Sequence, residues 1–254
     1  MTTSRQAVIA LLKSIETGDP APSLVIDPEH YIQHNLGAGD GLVGFTALLR
    51  ALPSGSARVN TVRAFQDGDV VFTHTEYDLF GPKVGFDIFR FDNGRIVEHW
   101  DNLQATPGSP NPSGRSMIDG PTQAGDAQRT EDNKALVAAF VDEVLVNGRM
   151  DQVPRYFDGD QYLQHNPQIA DGVSGLGKAL GEMAKAGITI EYDRVHRVLG
   201  EGNFVLVTSE GRLAGQHVAF YDLFRAEDGK VREHWDTIEA IPPRSEWKNA
   251  NGKF

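Results

Sequence analysis

The sequence repeats itself at a spacing typical of a whole small domain and far longer than the unit of a solenoid. Three segments of the first copy recur in the second: YIQHN at 31–35 as YLQHN at 162–166, DGLVG at 40–44 as DGVSG at 171–175, and NGRIVEHWD at 93–101 as DGKVREHWD at 228–236. The first two pairs share one displacement, and the third is displaced slightly further, which indicates a short insertion in the second copy. We therefore expect two copies of one fold, a tandem duplication.

The segment between the copies has the composition of a connection. Residues 105–129 include four Pro, four Gly and three Ser, and these residue types resist regular structure. The predicted organisation is a first domain at 1–104, a linker at 105–129 and a second domain at 130–254.

Each copy shows the same order of helical and extended patterns. Apolar residues at helical spacing follow Thr3 and Thr130, which could each cap a helix. The YxQHN segment predicts a short strand, a second helix follows near 42–52 or 173–186, and four extended runs close the copy. In the first copy the last two runs flank Asn93-Gly94, a strong hairpin signal. This order indicates an α+β fold.

Composition excludes several classes of protein. The chain has 254 residues, of which 40% are hydrophobic, and its longest apolar runs are too short to cross a membrane. The net charge of −11 is spread over both copies and leaves no basic patch for nucleic acid or for an anionic membrane surface. The chain contains no Cys and does not open on an export signal, so we expect a cytoplasmic location.

The repeated motifs resemble those of a known family. The helical start, the YxQHN strand and the endings at 87–101 and 221–236 are similar to the SnoaL-like polyketide cyclase family within the NTF2-like superfamily. The resemblance implies two cone-shaped α+β barrels with curved antiparallel sheets, which together could imitate the homodimer of single-domain relatives. A homodimer of the whole chain is left open. The resemblance also favours an inward-facing Asp as the acid/base residue.

Two residues near the end of each copy are the leading candidates for chemistry. A two-residue hairpin at Asn93-Gly94 would pair Ile88 with His99 and would place His99 and Asp101 on one face. The second copy would place His234 and Asp236 alike. Burial would raise the pKa of each Asp towards neutrality, and the imidazole could orient or polarise the substrate. In the alternative interpretation, Trp100 and Trp235 fill the core, and the His and Asp side chains are solvated or lie between sheets.

Other polar residues could support the same chemistry. His34 and His165 could act as auxiliary donors, with Asn35 and Asn166 beside them, although each Asn could simply cap a turn. The remaining candidates for substrate binding are His74, Arg90 and Arg225. His74 is replaced by Thr208 in the second copy and is equally consistent with a core residue. The two arginines could bind a substrate carboxylate or form internal salt bridges with Asp101 or Asp236.

A metal site receives weak support. His34, His74, His99 and Asp101 could together form a facial site for zinc or iron, but their separations in sequence are long, and the second copy lacks one member. We therefore predict neither a metal nor any other cofactor.

The prediction is a cofactor-independent enzyme that acts on a small or medium carbonyl compound by proton transfer, in an aldol-type cyclisation, an isomerisation or a hydration. Asp101 and Asp236 would be the acid/base residues. The alternative is a non-catalytic module of the same fold that binds a small molecule or a protein partner.

Overall fold

The computed structural model describes residues 2–52 and 55–254 and divides into two compact units. Unit 1 joins the chain up to Ala105 to the last segment, Ile241–Phe254, and unit 2 is Thr106–Ala240. This division differs from the predicted boundaries in two places. The segment expected to be a linker, 105–129, folds almost entirely with unit 2, and the C-terminal segment folds with unit 1.

Unit 1 begins with helices and ends with a sheet. Its elements are α1 (Ser4–Thr17), a 3₁₀ turn (Ala21–Val25), β1 (Ile32–Gln33), α2 (Gly41–Ala51), β2 (Arg58–Asp67), β3 (Val70–Asp78), β4 (Pro82–Asp92), β5 (Arg95–Ala105) and a 3₁₀ turn (Arg244–Glu246). Thr3 and Gln6 form a capping box at the start of α1, as predicted, and Gly18 ends the helix in the left-handed conformation.

Unit 2 repeats this order. Its elements are a 3₁₀ turn (Ala127–Arg129), α3 (Thr130–Phe140), a π-helical segment (Val141–Val146), a 3₁₀ turn (Met150–Gln152), α4 (Val153–Tyr156), β6 (Leu163–Gln164), α5 (Val173–Lys185), β7 (Ile190–Glu201), β8 (Phe204–Leu213), β9 (Gln216–Glu227) and β10 (Lys230–Ala240). The apolar stripe from Thr130 predicts one helix up to Gly148, whereas the α-helix changes to a π-helix after Phe140.

Each unit has one five-stranded sheet, and the two sheets have the same topology. The strand orders are β1-β5-β4-β3-β2 and β6-β10-β9-β8-β7. The α+β class is confirmed, but the sheets are mixed rather than purely antiparallel, because β1 and β6 pair in parallel with β5 and β10. They are open sheets with two edge strands rather than closed barrels. Within the described residues, no helix is long and apolar enough to span a membrane.

The register of the terminal hairpins differs from the prediction by one residue. Val97 forms a β-bulge, so His99 pairs with Phe89 instead of Ile88. Arg232 forms the corresponding bulge in unit 2, and His234 pairs with Phe224. Because side chains alternate along a strand, a slip of one residue exchanges the partners on each face. The arginines predicted beside the His-Asp pairs therefore lie on the opposite face of each sheet.

The face that carries His99 and Asp101 is the one that packs against the helices. Phe89, the cross-strand neighbour of His99, belongs to one core cluster with Val8, Leu11 and Leu12 of α1. In unit 2, Phe224 belongs to one cluster with Val137 and Phe140 of α3. We call this the helix-side face of each sheet.

Candidate active site

The helix-side face of unit 2 brings two carboxylates to one imidazole. Asp222 of β9 lies directly opposite Asp236 of β10, and His234 is two residues before Asp236 on the same face. The His234 Nε2 atom is 2.9 Å from Asp222 Oδ1. All three side chains are buried, since His234 and Asp236 are each 7% exposed and Asp222 is 1% exposed. These three residues form the acid–imidazole cluster of unit 2.

The neighbouring strand fixes the protonation of the imidazole. Gln164 of β6 lies beside His234, and its Oε1 atom accepts hydrogen bonds from the backbone N–H groups of His165 and Asn166. The same oxygen is 3.0 Å from His234 Nδ1, so Nδ1 must carry a proton and donate it. Because Nε2 faces the carboxylate of Asp222, the arrangement favours an imidazolium between two acceptors.

The pKa values of the cluster follow from burial and from charge. Burial alone would lower the pKa of His234, but the hydrogen bond to Asp222 and the charges of Asp236 and Asp222 outweigh it and raise that pKa. Burial also raises the pKa of Asp236, and the nearby charge of Asp222 adds to the effect, although His234 and Asn166 oppose it. Both shifts therefore favour the protonated forms of His234 and Asp236.

One oxygen of Asp236 is available for chemistry. The side-chain amide of Asn166 donates to Asp236 Oδ2 at 2.7 Å. The other oxygen, Oδ1, is buried and has no hydrogen-bond partner among the residues that the structure describes. By contrast, both oxygens of Asp222 are engaged, by His234 and by the Tyr192 hydroxyl. A buried, unpartnered carboxylate oxygen is costly for stability and therefore indicates a functional site.

Unit 1 contains the same cluster, formed by Asp87, His99 and Asp101. His99 Nε2 is 3.2 Å from Asp87 Oδ1, and His99 Nδ1 is 3.0 Å from Gln33 Oε1. Asn35 donates to Asp101 Oδ2, as Asn166 does to Asp236. Asp101 Oδ1, like Asp236 Oδ1, is buried and makes no hydrogen bond among the described residues, but Lys253 Nζ forms an ion pair with it at 3.7 Å.

Three potential metal-ligating atoms converge in unit 1. Asp87, His99 and Asp101 each offer one such atom, and these atoms lie within 4.8 Å of one another. A metal ion here would compete with the ammonium group of Lys253 for Asp101. The set also differs from the predicted one, because His34 and His74 do not belong to it.

The opposite face of each sheet carries the other predicted histidine. His34 stacks on Trp100, and its Nε2 atom is 3.0 Å from Glu98. His165 stacks on Trp235 and lies 2.9 Å from Glu233 in the same way. These histidines are thus paired with glutamates away from the acid–imidazole clusters.

The predicted arginines belong to these glutamate pairs. Arg90 Nε donates to Glu98 at 2.8 Å, and Arg225 Nε donates to Glu233 at 2.7 Å. Burial would raise the pKa of Glu233, but its hydrogen bonds to His165 and Arg225 prevail and lower it. The arginines therefore form internal salt bridges, but with Glu98 and Glu233 and not with Asp101 or Asp236, the partners that the sequence suggests.

His74 lies apart from both groups. It is 1% exposed, its Nδ1 atom is 2.9 Å from Arg63 Nη1, and its ring stacks on Phe86. Since Phe86 lies on the face opposite His99, His74 is not part of the acid–imidazole cluster.

A surface pocket of unit 2 is lined in part by Arg225 and Arg232. Both arginines are already paired with carboxylates, Arg225 with Glu233 and Glu227 and Arg232 with Asp158 and Glu227. None of the three residues of the acid–imidazole cluster lines this pocket.

Reasoning from the sequence misses two pairs of residues in the clusters. A regular hairpin places Asp87 and Asp222 on the wrong face, because it omits the bulge. Gln33 and Gln164 are also missed, because glutamine does not titrate and is not a usual acid/base candidate, unlike the histidines beside it. Both pairs occupy equivalent positions in the two copies, so the repeat itself carries the signal that could have found them.

The chain is similar to one known sequence family. Residues 137–234 match the model of the SnoaL-like domain. No curated protein sequence matches the chain.

Several solved structures are similar to part of the chain. IdmH from Streptomyces antibioticus, described as a candidate polyketide cyclase, is 20% identical, with 39% of this chain and 89% of IdmH covered and a TM-score of 0.34. An LEH-like epoxide hydrolase from M. tuberculosis is 24% identical, with 43% and 84% covered and a TM-score of 0.33. An NTF2-like protein of unknown function from Cytophaga hutchinsonii is 12% identical, with 41% and 92% covered and a TM-score of 0.37. The match to the SnoaL-like domain lies within unit 2, and unit 1 has the same strand order as unit 2.

Proposed function

We propose that unit 2 is an enzyme site that moves a proton on a small or medium carbonyl compound, with Asp236 as the acid/base residue. The observation that carries the proposal is the state of Asp236 Oδ1, a buried carboxylate oxygen with no hydrogen-bond partner among the described residues. The raised pKa of Asp236 supports it, because a base is most effective when its pKa lies near the working pH.

The proton transfer needs only groups of the chain. Asp236 Oδ1 removes a proton from the carbon next to the substrate carbonyl, and the electron pair of the broken C–H bond moves into an enolate. Asp236 becomes a neutral carboxylic acid, which burial favours over the carboxylate. The same acid then returns the proton at another position or to an oxygen of the product. Such a cycle serves isomerisation without a cofactor, and it serves aldol-type cyclisation when the enolate carbon attacks a second carbonyl of the substrate and the new alkoxide takes the proton from Asp236. In a hydration, Asp236 would instead remove the proton from the water that adds to the substrate.

His234 would stabilise the negative charge of the enolate and would not itself transfer the substrate proton. Both of its ring nitrogens already face acceptors, Asp222 and Gln164, so neither points freely at a substrate. An imidazolium held in place by Asp222 would stabilise negative charge that develops on the enolate, since electrostatic attraction is strong in a buried site. In this proposal His234 thus acts through its positive charge, and His99 would be its counterpart in unit 1.

The test is the exchange of deuterium for the protons next to the carbonyl. A panel of ketones and β-dicarbonyl compounds would be incubated with the protein in D₂O and followed by ¹H NMR. Asp236→Asn should lower the exchange rate by about 10²–10⁴-fold while ligand binding is kept. Asp193→Asn, at an exposed position of β7 that pairs with Arg212, should leave the rate unchanged.

Two outcomes would contradict the proposal. Equal rates for Asp236→Asn and Asp193→Asn would exclude Asp236 as the base. Binding of carbonyl compounds without exchange in the parent protein would instead support the ligand-binding module that the sequence allows.

A further inference from the structure

In each unit, a segment that contains no helix or strand of the sheet contacts the YxQHN motif. In unit 1 this segment is 248–254, which we call the C-terminal strap, and in unit 2 it is 111–119, which we call the inner strap. Each strap accepts a hydrogen bond from the histidine of the YxQHN motif: His34 Nδ1 is 2.9 Å from the carbonyl of Gly252, and His165 Nδ1 is 2.8 Å from the carbonyl of Ser116.

A second contact aligns the residues of the two straps in the same way. The residue before Gly252, Asn251, donates to Asp40 Oδ1 at 2.8 Å. The residue before Ser116, Arg115, donates to Asp171 at 3.0 Å. Asp40 and Asp171 are equivalent positions of the repeat, so the next residues of the straps, Lys253 and Met117, are equivalent as well.

The two equivalent residues are both buried, and they differ in charge. Lys253 and Met117 are each 6% exposed. The Lys253 ammonium lies 3.7 Å from Asp101 Oδ1, the atom that corresponds to the unpartnered Asp236 Oδ1 of unit 2. Met117, the aligned residue of unit 2, has a thioether and no charge.

The pairing changes what Asp101 can do. A buried ammonium beside a buried carboxylate stabilises the ionised form and opposes its protonation. Other groups close to Asp101 are Asp87 and His99 of the cluster, the Asn35 amide and the Tyr31 ring, all of which have equivalents around Asp236. Lys253 is thus a charged group beside Asp101 whose aligned residue in unit 2, Met117, carries no charge.

We propose that Lys253 prevents Asp101 from acting as a base, so that the acid/base chemistry of the chain is confined to unit 2. The inference rests on the proposed function of Asp236 and adds a residue that decides which of two similar sites can work. Unit 1 keeps the Asp-His-Asp arrangement, but the ammonium group of Lys253 neutralises the carboxylate of Asp101.

The test exchanges the two strap residues in the full chain. In an Asp236→Asn background, where deuterium exchange should be close to the uncatalysed rate, Lys253→Met should raise the rate at least tenfold. Asp101→Asn should abolish this gain. Lys253→Gln, which keeps a polar group without the charge, is the second variant and should act in the same direction.

A second readout does not depend on turnover. In protein labelled with ¹³C at the Asp carboxyl groups, Lys253→Met should move the titration of the Asp101 resonance to higher pH. In the reciprocal variant, Met117→Lys should lower the pKa of Asp236 and reduce deuterium exchange by at least tenfold. Asp101→Asn and Asp236→Asn assign the two resonances.

The outcomes separate this inference from the proposed function. If Asp236→Asn retains activity that is lost on adding Asp101→Asn, unit 1 works despite Lys253, and the inference is wrong while the proposed chemistry stands. If no variant shows exchange, the proposed function fails. In that case the ¹³C titration still tests the effect assigned to Lys253. This effect is refuted if Lys253→Met leaves the titration of the Asp101 resonance unchanged.

Discussion

At the scale of single residues, the glutamine of the YxQHN motif organises the site. Gln164 Oε1 serves as the acceptor for two backbone N–H groups and for His234 Nδ1, and Gln33 plays the same part towards Asn35 and His99. A single amide oxygen therefore sets both the turn after the strand and the protonation of the imidazole.

Replacing this glutamine should be costly. Gln164→Leu leaves three buried donors without their acceptor, and each such loss costs about 1–3 kcal/mol before the structure relaxes. We expect the free energy of unfolding of unit 2 to fall by about 2–4 kcal/mol. Hydrogen exchange of the β10 amides measures it, and Gln168→Leu, at an exposed position of the same loop, is the control. Equal protection in the two variants would refute this role.

Part of the site could be predicted from the sequence. Asp101, His99, Asp236 and His234 are buried as expected, but the apolar neighbour of His99 is Phe89, whereas a regular hairpin places Phe86 and Ile88 on that face. Their carboxylate partners could not be predicted, since a bulge is decided by packing across the sheet and has no fixed sequence signature. The charge of Lys253 could not be placed either, since it enters the site from the C-terminal end of the chain, far from Asp101 in sequence.

At the scale of elements, the starts of the equivalent helices α2 and α5 each depend on a close backbone contact. A Cβ atom on Gly175 of α5 would overlap with the carbonyl oxygen of Ala170, and one on Gly44 of α2 would overlap with the carbonyl oxygen of Gly39. The last glycine of the DGxxG motif is thus required by the packing of the helix against its own preceding loop.

Two glycines of one helix should therefore respond in opposite ways to alanine. Gly175→Ala forces the loop to move and should destabilise unit 2 by about 1–3 kcal/mol. Gly181→Ala meets nothing within 4 Å and should stabilise the protein by about 1 kcal/mol through helix propensity. Urea unfolding of both variants measures the difference, and a loss of stability in Gly181→Ala equal to that in Gly175→Ala would contradict the explanation.

The predicted elements agree closely with the observed ones because their signals are local. The capping box of α1, the Asn93-Gly94 turn and the alternating runs of β2 to β5 each depend on neighbouring residues. The change to a π-helix at Val141–Val146 lies within an unbroken apolar stripe, so nothing local announces it.

At the scale of the whole molecule, the repeat is the strongest predictor of fold, and its small departures are the best guide to function. Equal motifs produce equal sheets, with the same strand order and the same bulge near the end. The straps lie outside the repeated motifs, and there Lys253 of one copy aligns with the uncharged Met117 of the other. Neither the composition nor the periodic patterns that predict the fold reveal this difference.

The proposed chemistry depends above all on Asp236, a buried carboxyl group whose surroundings favour its protonated form. The most direct measurement is a ¹³C NMR titration of the Asp236 carboxyl in the folded protein, assigned with Asp236→Asn. We predict a pKa above the ordinary value of 3.8, with the carboxylate forming only as the pH rises past that raised pKa. A pKa at or below 3.8 would mean that His234 and Asn166 fully offset the rise in pKa that burial causes. It would contradict the proposed role of Asp236 as a proton-transfer residue.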